Sequence, residues 1–190
     1  DYDSDGLLDI AASSRSTSYV SRNVDGWTYE TMYDIGTPGP CMGYCGGVQH
    51  CWCDYDNDGD ADYIVIGNMA SGLRLFENDG GSGFAETTHL LEGASEYWGA
   101  TCMAWGDYNN DAHTDLIVSG TTTNNTLYAN NQDGTFSVED SDVLASVSVA
   151  SSASWADYDN DGRLDLYLVI PGSQNKLFRN DGGGFTDVTD

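Results

Sequence analysis

The chain has 190 residues and a formal net charge of −25, from 31 acidic and 6 basic side chains. That balance, with a pI near 4.1, argues against nucleic acid and anionic membrane surfaces as partners, since both would be repelled. Such acidity often means disorder, but 39% hydrophobic residues, 12% aromatics and strict internal repetition predict a folded core. No apolar run reaches the length that spans a bilayer, so membrane insertion is not expected.

Taken in order, the chain writes one nine-residue loop four times. Asp1-Tyr-Asp-Ser-Asp-Gly-Leu-Leu-Asp9 comes first and Asp54-Tyr-Asp-Asn-Asp-Gly-Asp-Ala-Asp62 second. Asp107-Tyr-Asn-Asn-Asp-Ala-His-Thr-Asp115 is a looser third copy, and Asp157-Tyr-Asp-Asn-Asp-Gly-Arg-Leu-Asp165 is the fourth. Side-chain oxygens stand at loop positions 1, 3, 5 and 9. They belong to Asp1, Asp3, Asp5 and Asp9; to Asp54, Asp56, Asp58 and Asp62; to Asp107, Asn109, Asp111 and Asp115; and to Asp157, Asp159, Asp161 and Asp165. Position 7, held by Leu7, Asp60, His113 and Arg163, adds a backbone carbonyl. Carboxylates crowded this closely repel one another unless a cation neutralises them, and a hard cation taking about six or more oxygens suits the set. Calcium is the expected cofactor, about one ion per loop. The third site should be the weakest, because Asn109 replaces an acid and Ala112 a glycine. The imidazole of His113 is expected to face solvent.

An EF-hand shares the opening of this motif but needs a bidentate Glu at position 12 and flanking helices. Position 12 is Ala12, Val65, Val118 and Leu168. The later loops run directly into Tyr63-Ile-Val-Ile66, Leu116-Ile-Val118 and Leu166-Tyr-Leu-Val-Ile170, which read as buried strands. The loop joins strand to strand, and the EF-hand is excluded.

First ligands recur at intervals of 53, 53 and 50 residues, the signature of stacked or radial units. Counted from loop to loop, the units are 1–53, 54–106, 107–156 and a truncated 157–190, forming a single repeat domain. Trp52, Trp105 and Trp155 each stand two residues before a loop, where a large aromatic ordinarily belongs to the core. Leu75-Phe-Glu-Asn-Asp-Gly80, Leu127-Tyr-Ala-Asn-Asn-Gln132 and Leu177-Phe-Arg-Asn-Asp-Gly182 come next, with the asparagines read as hairpin-turn residues. An aromatic then closes each turn, namely Trp27, Phe84, Phe136 and Phe185. Each unit therefore reads as strand, loop, strand, hairpin, strand, turn, strand. No helix longer than a turn or two is expected, and the one candidate, Thr87 to Glu96, is broken by Gly93. Asp1 lacks the tryptophan strand its siblings have, and no initiator Met or signal peptide appears. A processed chain or an excised piece is expected.

The run W-x-D-Y-D-N-D-G-x-x-D-L followed by N-x-L-F-R-N-D-G-x-x-F-T-D-V resembles the FG-GAP/VCBS repeats of integrin α-subunit propellers and many secreted bacterial proteins. The resemblance covers essentially the whole chain. It implies an all-β fold of four-stranded antiparallel blades, about four here, with the ring incomplete within this chain. It implies calcium in each loop, and adhesion, ligand display or scaffolding more often than catalysis.

Cys41, Cys45, Cys51, Cys53 and Cys102 read by default as disulfide formers in a secreted protein. By parity Cys51 and Cys102 share a strand face and are candidates to bridge neighbouring blades, while Cys41 and Cys45 would tie the Pro38-Gly-Pro40 loop. Connectivity does not follow from sequence, and the odd count leaves one thiol over. A zinc site of His50 with three cysteines is the rival, although the spacing lacks separated C-x-x-C pairs. Asn124-Asn-Thr126 is a glycosylation sequon in a polar hairpin. No nucleophile motif, zincin motif or phosphate loop is present, so no catalytic residue is assigned and an enzyme is not expected. The expected function is a calcium-stabilised extracellular repeat protein for adhesion or scaffolding. Its expected partners are other copies, flanking repeats, glycans or cell-surface proteins. A lectin-like propeller and an accessory propeller of a larger secreted enzyme are the alternatives.

Overall fold

A computed structural model of the chain describes residues 1–13, 18–34, 49–66, 73–80, 83–87, 91, 100–120, 124–139 and 141–190; the side chains of 13, 18, 32–34, 66 and 124 are not described. Four antiparallel meanders succeed one another along the chain. The first sheet holds β1 (Ile10–Ser13), β2 (Ser18–Asn23) and β3 (Tyr29–Asp34). The second holds β4 (Gln49–Cys53), β5 (Asp62–Ile66), β6 (Leu73–Asn78) and β7 (Phe84–Glu86). The third holds β8 (Ala100–Gly106), β9 (Asp115–Gly120), β10 (Asn124–Asn130) and β11 (Phe136–Glu139). The fourth holds β12 (Ser152–Ala156), β13 (Asp165–Val169), β14 (Lys176–Asn180) and β15 (Phe185–Asp187). Each four-stranded sheet thus takes in the strand before its acidic loop. The first sheet has no such strand among the described residues. One helical turn, α1 (Asp142–Ala145), links the third and fourth sheets and buries Leu144. Thr87 to Glu96 lies mostly outside the described residues.

The central strands β5 and β9 of the inner sheets are buried on both faces because a sheet stacks on either side, which is why they read as continuous apolar runs. Three cores separate the four sheets. Tyr2, Val20, Tyr63, Val65 and Phe76 fill the first gap. Ile64, Leu73, Leu75, Leu116, Val118 and Tyr128 fill the second. Ile117, Leu127, Leu144, Leu166, Leu168 and Phe178 fill the third. No core among the described residues joins the fourth sheet back to the first, so the ring stays open.

Two expectations are corrected by strand geometry. Cys51 and Cys102 do share a face, but each faces the sheet that comes after its own. Cys51 packs with Cys53 in the second gap, while Cys102 lies in the third, behind the backbone of β8. Equal parity is therefore what keeps them apart, and Cys51, Cys53 and Cys102 are free thiols. Cys41 and Cys45 lie outside the described residues. Zinc is likewise not assembled, since alternation along β4 turns His50 to the opposite face, where its ring lies 5.8 Å from that of Tyr63. Asn124 opens β10 opposite Gly120, and its side chain is not described.

Gly106 shows how tightly the sheets approach. A Cβ there would lie 2.7 and 2.9 Å from Trp155 Cδ1 and Cγ. Trp155 is itself held by its indole N–H donating to Ala104 O at 3.2 Å. Gly106→Ala should therefore cost about 1–3 kcal/mol through overpacking, measured by urea unfolding; an unchanged midpoint would contradict this packing.

Candidate metal centre

Each loop is folded by its own acids. The carboxylate at position 1 accepts backbone N–H groups from positions 5 and 6: Asp107 from Asp111 and Ala112 (3.0 and 2.9 Å), and Asp157 from Asp161 and Gly162 (3.0 Å each). Asp1 does the same for Asp5 and Gly6, and Asp54 for Gly59. Position 5 then accepts the N–H of position 7, at 2.9 Å in every loop. The chain turns sharply enough to need left-handed backbone at positions 4 and 6. Ser4, Asn57, Asn110 and Asn160 have φ of 57 to 62°, and position 6 is Gly except at Ala112, whose φ is 69°.

Position 9 is a different kind of group. Asp62 Oδ2 accepts Tyr55 N–H at 3.0 Å and its Oδ1 accepts Asn78 N–H at 2.9 Å. Asp9, Asp115 and Asp165 repeat the same pair of bonds with Tyr2 and Asn23, Tyr108 and Asn130, and Tyr158 and Asn180. Burial pushes the carboxyl of Asp62 up to about 7 and that of Asp115 to about 6, against the pull of those two bonds. Asp56 is also raised by burial, the neighbouring acids adding to it.

Asn78, Asn130 and Asn180 have a second role that the turn reading misses. They end β6, β10 and β14, buried, and Asn130 and Asn180 also start the turn that follows, their Oδ1 accepting the N–H of Gln132 and Gly182 at 3.0 Å each. Each side-chain amide donates to the carbonyl at loop position 2 of the preceding sheet: Asn78 to Tyr2, Asn130 to Tyr55 and Asn180 to Tyr108, at 2.6–2.7 Å. The signal in the sequence is their near-constant distance from each loop. Register also corrects the closing aromatic of the first unit. Asn23 pairs with Tyr29 as Asn78 pairs with Phe84, Asn130 with Phe136 and Asn180 with Phe185, so Trp27 lies in the turn and Tyr29 takes the core-type place.

The oxygens fit a hard cation unevenly. Ligand atoms of Asp1, Asp3 and Asp5, of Asp54, Asp56 and Asp58, and of Asp157, Asp159 and Asp165 fall within 4.8 Å of one another. Asp3 Oδ1 and Asp54 Oδ1 are buried oxygens that no protein donor reaches, as a ligand oxygen should be. Arginine already faces two loops. Arg22 Nε lies 2.5 Å from Asp3 and its Nη2 3.1 Å from Asp5, and Arg163 pairs with Asp161. In the third loop, amides of Asn109 and Gln132 both donate to Asp111 Oδ2 at 3.1 Å. The second loop has five acids and, among the described residues, no arginine paired with it, and so makes the strongest demand for a cation. His113 does not stand free in solvent: Asn57 of the second loop donates to Ala112 O at 3.0 Å and lies 3.1 Å from His113 Nδ1. Asn110 reaches Gly162 O of the fourth loop in the same way, at 2.9 Å.

Left-handed backbone costs an alanine about 1–2 kcal/mol, part of which glycine returns as unfolded-state entropy. Ala112→Gly should raise stability by roughly 0.5–1 kcal/mol, read by urea unfolding; destabilisation would mean that the third loop is not strained.

A family model for the FG-GAP-like repeat matches residues 1–65, 54–118 and 107–168. Among solved structures the chain is similar to an Agrocybe aegerita lectin described as specifically recognising non-reducing terminal N-acetylglucosamine, with 22% identity and a TM-score of 0.61. The match covers 96% of this chain and 48% of that one, so this chain spans about half the lectin's length. No curated protein matches. No helix among the described residues is long and apolar enough to cross a membrane. Matched from residue 1 to residue 168, with an acidic loop at the same place before the second strand of each full sheet, the chain belongs to the FG-GAP-like repeat family.

Proposed function

We propose that the chain is a non-enzymatic, calcium-stabilised extracellular repeat module used for adhesion or scaffolding. The observation that carries this is the acidic loop repeated over successive sheets, with buried oxygens of Asp3 and Asp54 left without a protein donor. Carboxylates at positions 1, 3, 5 and 9 (the Asn109 amide oxygen at position 3 of the third loop), with the carbonyl at position 7, would hold the ion. Bound calcium supplies the positive charge that lets those acids share one turn. The chain's own contribution is to prefold the turn through the bonds from positions 1 and 5, so little of the binding energy is lost to ordering. An extracellular setting suits surface loops of this kind, since extracellular modules bind calcium at roughly 10⁻⁴–10⁻³ M.

Metal binding is then folding free energy. A site held at about 100 times its dissociation constant contributes about 2.7 kcal/mol, or roughly 5–10 °C for a chain of this size. Chelation should lower the melting temperature by about that much per saturated site, and calorimetric titration should find the second loop tightest and the third weakest. Melting that ignores EDTA would remove the proposal.

Glycan binding is the alternative, favoured by a crevice of about 280 Å³ between the third and fourth sheets. Tyr108 and Phe185 give it aromatic walls, and Glu139, Arg163 and Asn180 give it polar groups, a mixture that suits a sugar. The similar lectin's described specificity makes N-acetylglucosamine the first probe. Reproducible calcium-dependent signal on a glycan array, lost in Arg163→Ala, would favour this function; silence across the array would leave the scaffold.

A further inference from the structure

Two side-chain bonds run directly from one acidic loop to the next. Asn57, at position 4 of the second loop, donates its amide to Ala112 O, at position 6 of the third, at 3.0 Å. Asn110, at position 4 of the third, donates to Gly162 O, at position 6 of the fourth, at 2.9 Å. The partners are 55 and 52 residues apart in the chain, and both ends of each bond lie inside a turn rather than on a strand. The same two positions are used each time, so the link belongs to the repeat.

Each donor stands among the ligands of its own loop. Asn57 lies between Asp56 and Asp58, and Asn110 between Asn109 and Asp111, with left-handed φ of 62° and 59°. Ordering of the flanking ligands therefore fixes that backbone and aims the amide. The acceptor is placed just as closely to a ligand. Ala112 O belongs to the peptide whose N–H, that of His113, donates to Asp111 Oδ1 at 2.9 Å. Gly162 O is likewise matched by the Arg163 N–H, which donates to Asp161 Oδ1 at 2.9 Å. One peptide is thus gripped from both sides, by its own loop at the nitrogen and by the preceding loop at the oxygen. The residue it leads into, at position 7, is the one whose carbonyl is expected to ligate.

Taking the loops as the calcium sites of the proposed function, we propose that Asn57 and Asn110 are positioning residues that couple them. Filling the second loop favours the third, and filling the third favours the fourth. The third loop has most to gain. Its position 6 is the one that is not glycine, Ala112 at φ 69°, and its position 3 offers an amide in place of an acid. Asn57 also lies 3.1 Å from His113 Nδ1, a second hold on the same stretch. The second loop, by contrast, keeps a buried Asp54 oxygen that no protein donor reaches, and is the one to fill first. Occupancy then spreads from second to third to fourth, and linkage makes each effect reciprocal. The first loop has Ser4 in the donor's place, which brings no amide.

Calcium titrations followed by the backbone amide resonances of Gly59, Ala112 and Gly162 read the second, third and fourth loops separately. A double-mutant cycle tests the coupling. Asp56→Ala disables the second site, and Asn57→Ser puts at 57 the residue that the first loop holds at φ 57°. Loss of the second site should weaken third-loop binding about three- to tenfold when Asn57 is present. With serine at 57 the same loss should matter less than about twofold. Repulsion between neighbouring ions acts alike in both backgrounds and cancels. A merely structural amide would lower stability without making third-loop affinity depend on the second site. If Asp56→Ala does not fold, Asp56→Asn, the residue the third loop carries at position 3, takes its place. Equal losses in both backgrounds overturn the proposal, as does third-loop affinity that ignores the second site. Calcium binding without that dependence leaves the proposed function standing, whereas no calcium-dependent shift in any loop removes both.

Discussion

The buried carboxylate at the ninth loop position ties together parts that would otherwise fold separately. One oxygen of Asp62, Asp115 or Asp165 holds the start of its own loop, and the other holds the strand carrying the junction asparagine. That asparagine then grips the preceding sheet. Loop shape, strand register and sheet-to-sheet distance are set by one hydrogen-bonded knot in a dry place. Buried polar networks of this kind are costly when half satisfied and specific when complete. The acids at positions 1, 3 and 5 sit above this knot, and among them Asp3 Oδ1 and Asp54 Oδ1 keep a buried oxygen that no protein donor reaches.

The four loops share a backbone but differ in how their charge is balanced. Arg22 and Arg163 lean on the first and fourth, and Asn109 and Gln132 soften the third with amide donors. Among the described residues no basic side chain pairs with the five acids of the second. A chain with a net charge of −25 and six basic residues cannot neutralise every loop with its own side chains. The division between loops that borrow an arginine or an amide and one that does not is therefore forced by composition.

Features whose spacing is local were legible in the sequence. Acids at alternate positions announce a turn filled with oxygen, and Trp52, Trp105 and Trp155 announce packing, because both depend on a few adjacent residues. Features set by the partner across a gap were not legible. Asn130 looks like a turn residue and nothing more until Tyr55 O is known to lie 2.7 Å away, seventy-five positions upstream. Tyr29 rather than Trp27 fills the closing place because the register pairs it with Asn23, and counting residues through turns of unequal length cannot give that. The bridge between Cys51 and Cys102 failed for a similar reason: parity gave the shared face, but not that both faces look the same way around the stack.

Each junction draws a tyrosine from one repeat and an asparagine with its aromatics from the next, so the polar lock is common to all three boundaries. The packing around the lock is not common, since Gly106 is fitted to Trp155 where the corresponding positions elsewhere carry Cys53 and Ala156. Recombination that inserts or deletes a whole repeat would therefore keep the lock at a new boundary but call for compensating substitutions in the apolar contacts beside it.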